Sequence, residues 1–292
     1  QQKVNHNFFN PKFGIHYSLN KNQIIYASFG VANKEPNRSD YTESSTNSRP
    51  KHETLHDTEA GYKIKSKNLT FGINLYSMNY KNQLVMTGQI NDVGARTRFN
   101  VKESFRRGIE LEGTCNFTPA LMWAANLTFS QNKIVSSFIE DIDNWDTWGT
   151  EQEEHENTDL AFSPNLVWAS QLTYHLTKQF NIDFISKYVG EQYIDNTSSE
   201  DRMLNGYLVN HLRLTYNWEN KIFKTTKISL QVNNLLNNEY VNNAWAYRFI
   251  SDNWDPIPSD PYINKDTERG YNMAGYFPQA TRNYLLGITL GF

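Results

Sequence analysis

Two carboxylates two residues apart open the search for chemistry. Glu110 and Glu112 lie in an alternating run, and a spacing of two puts both side chains on one face of a β-strand. Paired carboxylates are the tools of a glycosidase, one acting as acid and the other as base or nucleophile. A single strand fixes no separation between such groups, and strand charges also serve as ion-pair partners for a packed neighbour. Segment 140–159 is denser in acid, with Glu140, Asp141, Asp143, Asp146, Glu151, Glu153, Glu154, Glu156 and Asp159 beside His155. Oxygen ligands suit calcium. The spacing matches no Asp-x-Asp-x-Asp-Gly loop, however, so a solvated loop, or one bridged by divalent ions to an anionic neighbour, is the plainer expectation. Segment 237–280 carries Trp245, Tyr247, Phe249, Trp254, Tyr262, Tyr271, Tyr276 and Phe277 with Arg248 and Arg269, and Arg282 follows. Rings beside Arg supply stacking, rigid contact area and charge pairing. Trp245, Tyr247, Arg248, Trp254, Tyr262 and Arg269 are therefore the ligand-binding candidates. The plainer alternative is that these rings pack the loop onto itself or onto a surface partner. The seven histidines form no nucleophile–base–orienter set, and there is no Ser-centred elbow. The sequence predicts no enzyme, no cofactor and no resident metal.

Any such residues must be held by strands. Helical periodicity never takes hold, whereas period-two alternation recurs in eleven runs. These are 8–19, 24–32, 54–65, 69–80 with a continuation toward 89, 98–117, 121–135, 162–174, 180–193, 204–218, 227–236 and 281–292. In the last run, Tyr284, Leu286, Ile288, Leu290 and Phe292 alternate with Asn283, Leu285, Gly287, Thr289 and Gly291. Its length suits a tilted strand crossing a bilayer, ~9–11 residues. The opposite faces of the runs carry full charges, among them Glu59, Lys63, Glu110, Glu112, Asp183, Lys187 and Arg213. Connections alternate strictly between short turns and long loops, which places every long loop on one side, as in outer-membrane barrels. Aromatics bracket the short turns: Tyr17, Phe117 with Trp123, Tyr174 with Phe180, and Trp218 with Phe223. That is the pattern of an interfacial girdle.

Composition agrees. Net charge is -3, which gives no field for nucleic acid. Mean hydropathy is -0.67, and no apolar run is long enough for a membrane helix. A barrel that alternates faces needs neither. The single cysteine, Cys115, forms no internal disulfide. The expected fold is all-β, a membrane-spanning antiparallel up-and-down barrel. The strand count is odd, whereas single-chain bacterial barrels are even. The eleven strands are therefore expected to be half of a larger barrel, with the amino-terminal strands missing. The competing class is a non-transport surface or adhesion domain with a closed apolar core.

Several short elements resemble the TonB-dependent outer-membrane receptors. Val232-Asn-Asn-Leu-Leu-Asn-Asn-Glu-Tyr240 is similar to their penultimate-strand Asn-Leu-Phe element, and Pro278-Gln-Ala-Thr-Arg282 to the Pro-x-x-x-Arg before the last strand. Ile25-Tyr-Ala-Ser-Phe-Gly30 with Pro36, Pro50 to Leu55 followed by Glu59-Ala-Gly-Tyr62, and Arg107-Gly-Ile-Glu110 resemble others, in the same order. The Asn-, Lys- and Tyr-rich style looks like the Bacteroidetes branch. The resemblance implies a 22-stranded barrel in the outer membrane, spanned many times, with residues 1–292 as its carboxy-terminal part. It further implies a plug domain inside, energy delivered by TonB through a plug segment absent here, and contact with outer-membrane lipid and lipopolysaccharide. A surface lipoprotein resting on the loops is a further partner it leaves open. On this reading Glu59, Lys63, Glu110, Glu112, Lys187 and Arg213 face the lumen or plug, and Phe292 is the assembly signal. The job would be capture and import of a scarce nutrient. A ferric siderophore or similar chelate leads; glycan, peptide, haem or cobalamin are the alternatives.

Overall fold

The computed structural model describes residues 4–43, 49–90, 96–219 and 222–292. Eleven strands form one open antiparallel wall in which every neighbour in space is the next wall strand in sequence. In chain order they are Lys12–Asn20, Gln23–Lys34, Glu53–Lys65, Leu69–Ile90, Arg96–Thr118, Leu121–Ile134, Leu166–His175, Phe180–Val189, Tyr207–Trp218, Thr225–Asn233 and Asn283–Gly291. The eleven expected runs all appear, with their ends shifted by a few residues. The first and last strands do not pair with each other, so the wall has two free edges.

Of the connection expected over 81–97, the continuation of the fourth strand toward 89 forms, and residues 91–95 lie outside the described residues. The fourth and fifth strands stay paired into this segment, from Lys81↔Glu103 to Met86↔Arg98 and on to Ile90↔Arg96. Lys81, Asn82 and Gln83 break the apolar alternation, and Asn82 takes a positive φ of 53°. Asn tolerates that left-handed conformation better than most residues, so the ladder bends and continues.

Cross-strand register sorts the side chains into two faces. Leu75, Ile109, Phe129, Leu172, Phe184, Leu230, Leu286 and Ile288 lie on one face, and all stand exposed. Glu110, directly opposite Asn74 and Thr128, lies on the other. A cavity of about 370 Å³ on that second face is lined from five consecutive strands, by Tyr26, Lys63, Asn74, Glu110, Glu112, Asn126 and Thr128. Five adjacent strands can line one cavity only on the hollow side of a curved sheet. The convex side is thus apolar and uncovered while the hollow side is polar, the reverse of a soluble sandwich. No helix among the described residues is long and apolar enough to cross a membrane.

Two glycines show what holds the hollow face together. The ring of Tyr26 lies across Gly61 on the next strand, and that of Tyr76 across Gly108. A Cβ on Gly108 would sit 2.5 Å from the Phe129 carbonyl oxygen and 2.6 Å from the Tyr76 hydroxyl. The Gly-x-Glu spacing at Gly108 and Glu110 thus sets a bare backbone under a ring and a carboxylate two residues on.

The wall contains little packed core. Among the described residues, three buried apolar clusters lie at the long-loop end: Val85, Val101, Ile134, Phe138 and Leu160; Ile194, Leu204, Ala244 and Ala246; and Phe249, Ile263 and Tyr271. Beside them stands a second, five-stranded sheet, ordered Ile263–Lys265, Gly270–Pro278, Val241–Ile250, Phe138–Asn144 and Gly149–His155, which contributes Phe138, Ala244, Ala246, Phe249, Ile263 and Tyr271, while Val85, Val101 and Ile134 come from wall strands. We call it the cap. The acidic segment expected as a solvated loop is a hairpin of this sheet. Its first strand runs parallel to Val241–Ile250, through Asp143↔Phe249 and Asn144↔Ile250.

Candidate functional site

The cap has two chemistries on its two faces. On one, register brings Glu140 and Glu153 opposite each other on the hairpin, with Arg248 opposite Asn272. Glu140 is the hub, with its side chain 8% exposed. One of its oxygens accepts a hydrogen bond from Arg202; the other lies 3.1 Å from Arg248 Nη1 and 3.0 Å from His155 Nε2. Arg202 also meets Asp195 at 2.7 Å. Arg248 meets Glu153 at 2.6 Å and Asp266 at 2.8 Å. Two buried cations are thus shared among four carboxylates drawn from three long loops, which the network ties together. Burial alone would push the Glu140 carboxyl up, but His155, Arg202 and Arg248 outweigh it and hold the group down at about 2. Burial disfavours the Arg248 cation as well, yet Glu153, Glu140 and Asp266 keep it firmly charged.

Glu140, Glu153 and His155 bring ligand atoms within 4.8 Å of one another, close enough for a metal ion. The donor set does not suit one, since two guanidiniums already occupy the carboxylate oxygens an ion would need. The three residues fit an ion-pair network better than a metal centre.

The other face is aromatic. Trp145 stacks on Phe249 at 4.0 Å and on Trp254 at 5.4 Å, and Phe249 stacks on Tyr271 at 5.3 Å. The Tyr247 hydroxyl donates to Asp143 Oδ2 at 2.7 Å and accepts from Trp145 Nε1 at 3.0 Å. Burial and the Asp143 carboxylate push that phenol up to about 12. Beyond this stack, Ser251, Asp252, Asn253, Trp254, Asp255, Lys265, Glu268, Arg269 and Tyr271 line a cleft of about 430 Å³.

The six ligand-binding candidates therefore divide. Arg248 is buried in the ion-pair network, Tyr247 is bonded to Asp143, and the Trp245 ring lies over Gly275 on the neighbouring strand. Trp254, Tyr262 and Arg269 are open, 47%, 73% and 41% exposed. Sequence reasoning missed Arg202, Asp195 and Asp266: Arg202 and Asp266 bind Glu140 and Arg248, which it did single out, and Asp195 binds Arg202. No local signal marks them, because the network they join is assembled across long loops: Arg202 meets Glu140 62 residues away, and Glu140 meets Arg248 108 residues away.

All six wall charges fall on the hollow face by register: Glu59, Lys63, Glu110, Glu112, Lys187 and Arg213. Lys63 pairs with Glu112 at 3.1 Å, both largely exposed, an interaction that contributes only ~0–1 kcal/mol in water. Glu110 accepts from Asn74 Nδ2 at 3.3 Å. Arg213 donates to Asp183 at 2.9 Å, and Asp183 also accepts from Thr173 at 2.6 Å. Glu110 and Glu112 are thus engaged with different neighbours rather than aimed at one point between them. Phe292 is 84% exposed at the short-turn end, edge-on to Phe223 at 5.3 Å.

The Asn-rich turn after the tenth strand has a clear structural task. Buried Asn234, at φ 50°, donates to the Asn238 and Ala280 carbonyls. Asn237 Oδ1 accepts the Arg282 amide, and Arg282 Nε donates to the Leu235 carbonyl. Strand ten, the return from the cap and strand eleven are fastened at this point.

Comparison with known proteins agrees with this architecture. Residues 1–235 match the family model described as TonB dependent receptor-like, beta-barrel. The chain belongs to that family. No curated protein matches its sequence. Among solved structures, it is similar to the ferric-catecholate import receptor Fiu of E. coli K12 in its closed form, at TM-score 0.61 and 19% identity over 94% of this chain and 34% of that one. It is similar to the copper transporter OprC, at TM-score 0.62 and 16% identity over 94% and 39%. It is also similar to the siderophore receptor PiuA of Acinetobacter baumannii, at TM-score 0.62 and 17% identity over 92% and 35%. At these identities the likeness is one of fold. The chain spans between a third and two fifths of the length of these three proteins.

Proposed function

We propose that this chain is the carboxy-terminal part of the barrel of an outer-membrane receptor that captures a scarce extracellular nutrient and imports it with energy from TonB. The observation that carries the reading is the wall itself: convex face apolar and bare, hollow face charged, both edges unpaired. Unpaired backbone groups in hydrocarbon cost several kcal/mol each, so the two edges call for further strands that close a larger barrel. The charged hollow face then lines a lumen, where Glu59, Glu110 and Lys187 offer partners to a plug. The leading cargo is a ferric siderophore or a similar metal chelate, supported by the names of the receptors that share the fold. Trp254, Tyr262 and Arg269, on the long-loop side, are the side chains that first meet cargo, while Tyr247 and Arg248 hold the cap in shape beneath them.

The test is uptake of radio-iron chelates by cells carrying the complete receptor as sole importer. Uptake should disappear when TonB is deleted and return when it is restored. Equal uptake without TonB would overturn the energy coupling, and failure of every ferric chelate would leave the cargo to the haem, cobalamin, glycan or peptide classes.

A further inference from the structure

The cleft on the aromatic side of the cap has a composition that selects among ligands. Trp254 is its platform. One side of the indole is stacked on Trp145 at an interplanar angle of 11°, while the side chain remains about half exposed. The loop beneath it is pinned, because Asp146 accepts from the Asp252 amide at 2.6 Å and from Ser251 Oγ at 3.0 Å, and Ser251 Oγ accepts from the Trp254 amide at 3.1 Å. A ring supported from behind and held by its own backbone is organised before anything binds, which removes part of the ordering cost of association.

Around the platform stand both donors and acceptors. Arg269 bridges Glu151 at 3.0 Å and Asp252 at 3.2 Å, so its charge is already balanced. Lys265 lies 5.6 Å over the Tyr271 ring, and Glu268 lines the same cleft. Asp255 adds another carboxylate. The remaining groups therefore include two acids, Asp255 and Glu268, against one cation, Lys265. A multiply anionic ligand is repelled by that balance. A flat hydrocarbon would leave the carboxylates and the ammonium without partners, which is costly once water is excluded. A neutral ring with an apolar C–H face and a rim of hydroxyls satisfies every part: its face lies on the indole, and its hydroxyls donate to carboxylates and accept from Lys265.

We infer that the cleft between Trp254, Lys265 and Glu268 is a binding site for a neutral pyranose ring. This rests on the reading of the long-loop end as the ligand-capturing side, and it deepens that reading by naming a ligand chemistry. The same sugar ring could arrive as part of a free oligosaccharide or as a substituent on a metal chelate.

Binding to the complete receptor in detergent, measured by calorimetry, tests this with two kinds of probe. One is a panel of neutral oligosaccharides. The other is a ferric chelate compared with and without a glucosyl substituent. The inference expects at least one sugar-bearing probe to bind. Trp254→Ala should then weaken it by about 30-fold, in the range of a buried aromatic anchor, whereas Trp254→Phe should keep most of the affinity. Glu268→Gln and Lys265→Met, both outside the Trp145 stack, should each weaken binding several-fold and guard against a variant that merely loosens the loop. Selective oligosaccharide binding identifies a free glycan as the source; a preference for the glucosylated chelate over its parent identifies a decorated chelate. Absence of binding by all neutral sugars with no gain from the glucosyl group overturns the inference, as does binding indifferent to Trp254→Ala, Glu268→Gln and Lys265→Met alike. TonB-dependent uptake is scored separately, so the pyranose site can fail while the receptor reading stands.

Discussion

Replacing Glu140 by Gln removes one negative charge and changes the side-chain shape very little. Glu140 is buried and serves Arg202, Arg248 and His155 together. Breaking a buried ion pair by removing one partner costs about 3–5 kcal/mol. Arg202 keeps Asp195 and Arg248 keeps Glu153 and Asp266, which favours the lower end. A second route gives the same size. A carboxyl held at about 2 instead of 4.5 contributes about 3 kcal/mol at neutral pH. Because the folded value lies below the unfolded one, this stability is complete above pH 4.5 and drains away as pH falls toward 2.

The cap, not the wall, should feel the loss, since the network joins long loops only. About 3 kcal/mol corresponds to about 100-fold in the opening equilibrium. Hydrogen exchange on the complete receptor should show it in peptides covering Phe138–Asn144 and Val241–Ile250, with Lys12–Asn20 as the unchanged reference. Wild-type cap protection, corrected for intrinsic rate, should hold down to about pH 4.5 and then decline, and Glu140→Gln should lack that phase. Cap protection altered by less than about 3-fold in the variant would refute the network as the cap's fastening.

Four further outcomes follow from the same geometry. Ile288→Arg, on the bare convex face, should destabilise the receptor in a bilayer by ~2–4 kcal/mol if near the midplane, whereas Leu285→Arg on the hollow face should cost much less; equal urea midpoints would reverse the faces. Gly108→Ala should cost about 1–3 kcal/mol through overpacking against Tyr76 and the Phe129 carbonyl, while Gly113→Ala, with nothing nearer than 3.5 Å, should not; equal melting temperatures would dismiss the ring-over-glycine contact. Residues 1–292 expressed alone should give no heat-modifiable monomer in a bilayer, and recovery of one would disprove the half-barrel. Joint replacement of Trp254, Tyr262 and Arg269 by Ala should weaken whole-cell cargo binding at unchanged receptor level, and unchanged binding would relegate these side chains to packing.

The wall was legible because one rule, period two, operates locally. Leu286 and Ile288 declare their face within three residues, and the pairing partner adds no new information once strands follow in sequence order. The rule fails where the alternation is broken for local reasons, as at Lys81 to Gln83, where the ladder continues but the pattern does not. It fails more deeply in the cap. Phe249 pairs with Asp143 across more than 100 residues, and whether Glu140 is solvated or buried depends on Arg202 and Arg248, which no window around Glu140 contains. An acidic stretch looks alike whether it meets water or two guanidiniums. The ring-rich loop was equally ambiguous: the same aromatics supply the stack under the cleft and the platform within it, and only the fold separates Phe249 and Tyr271 from Trp254. The division has a functional logic. A wall that must match a bilayer is constrained by a solvent with one direction of polarity, so its sequence repeats. The cap is held by long-range contacts such as Glu140 with Arg202 and Arg248, and on the proposed function any ligand specificity resides in pairings that a local reading cannot see.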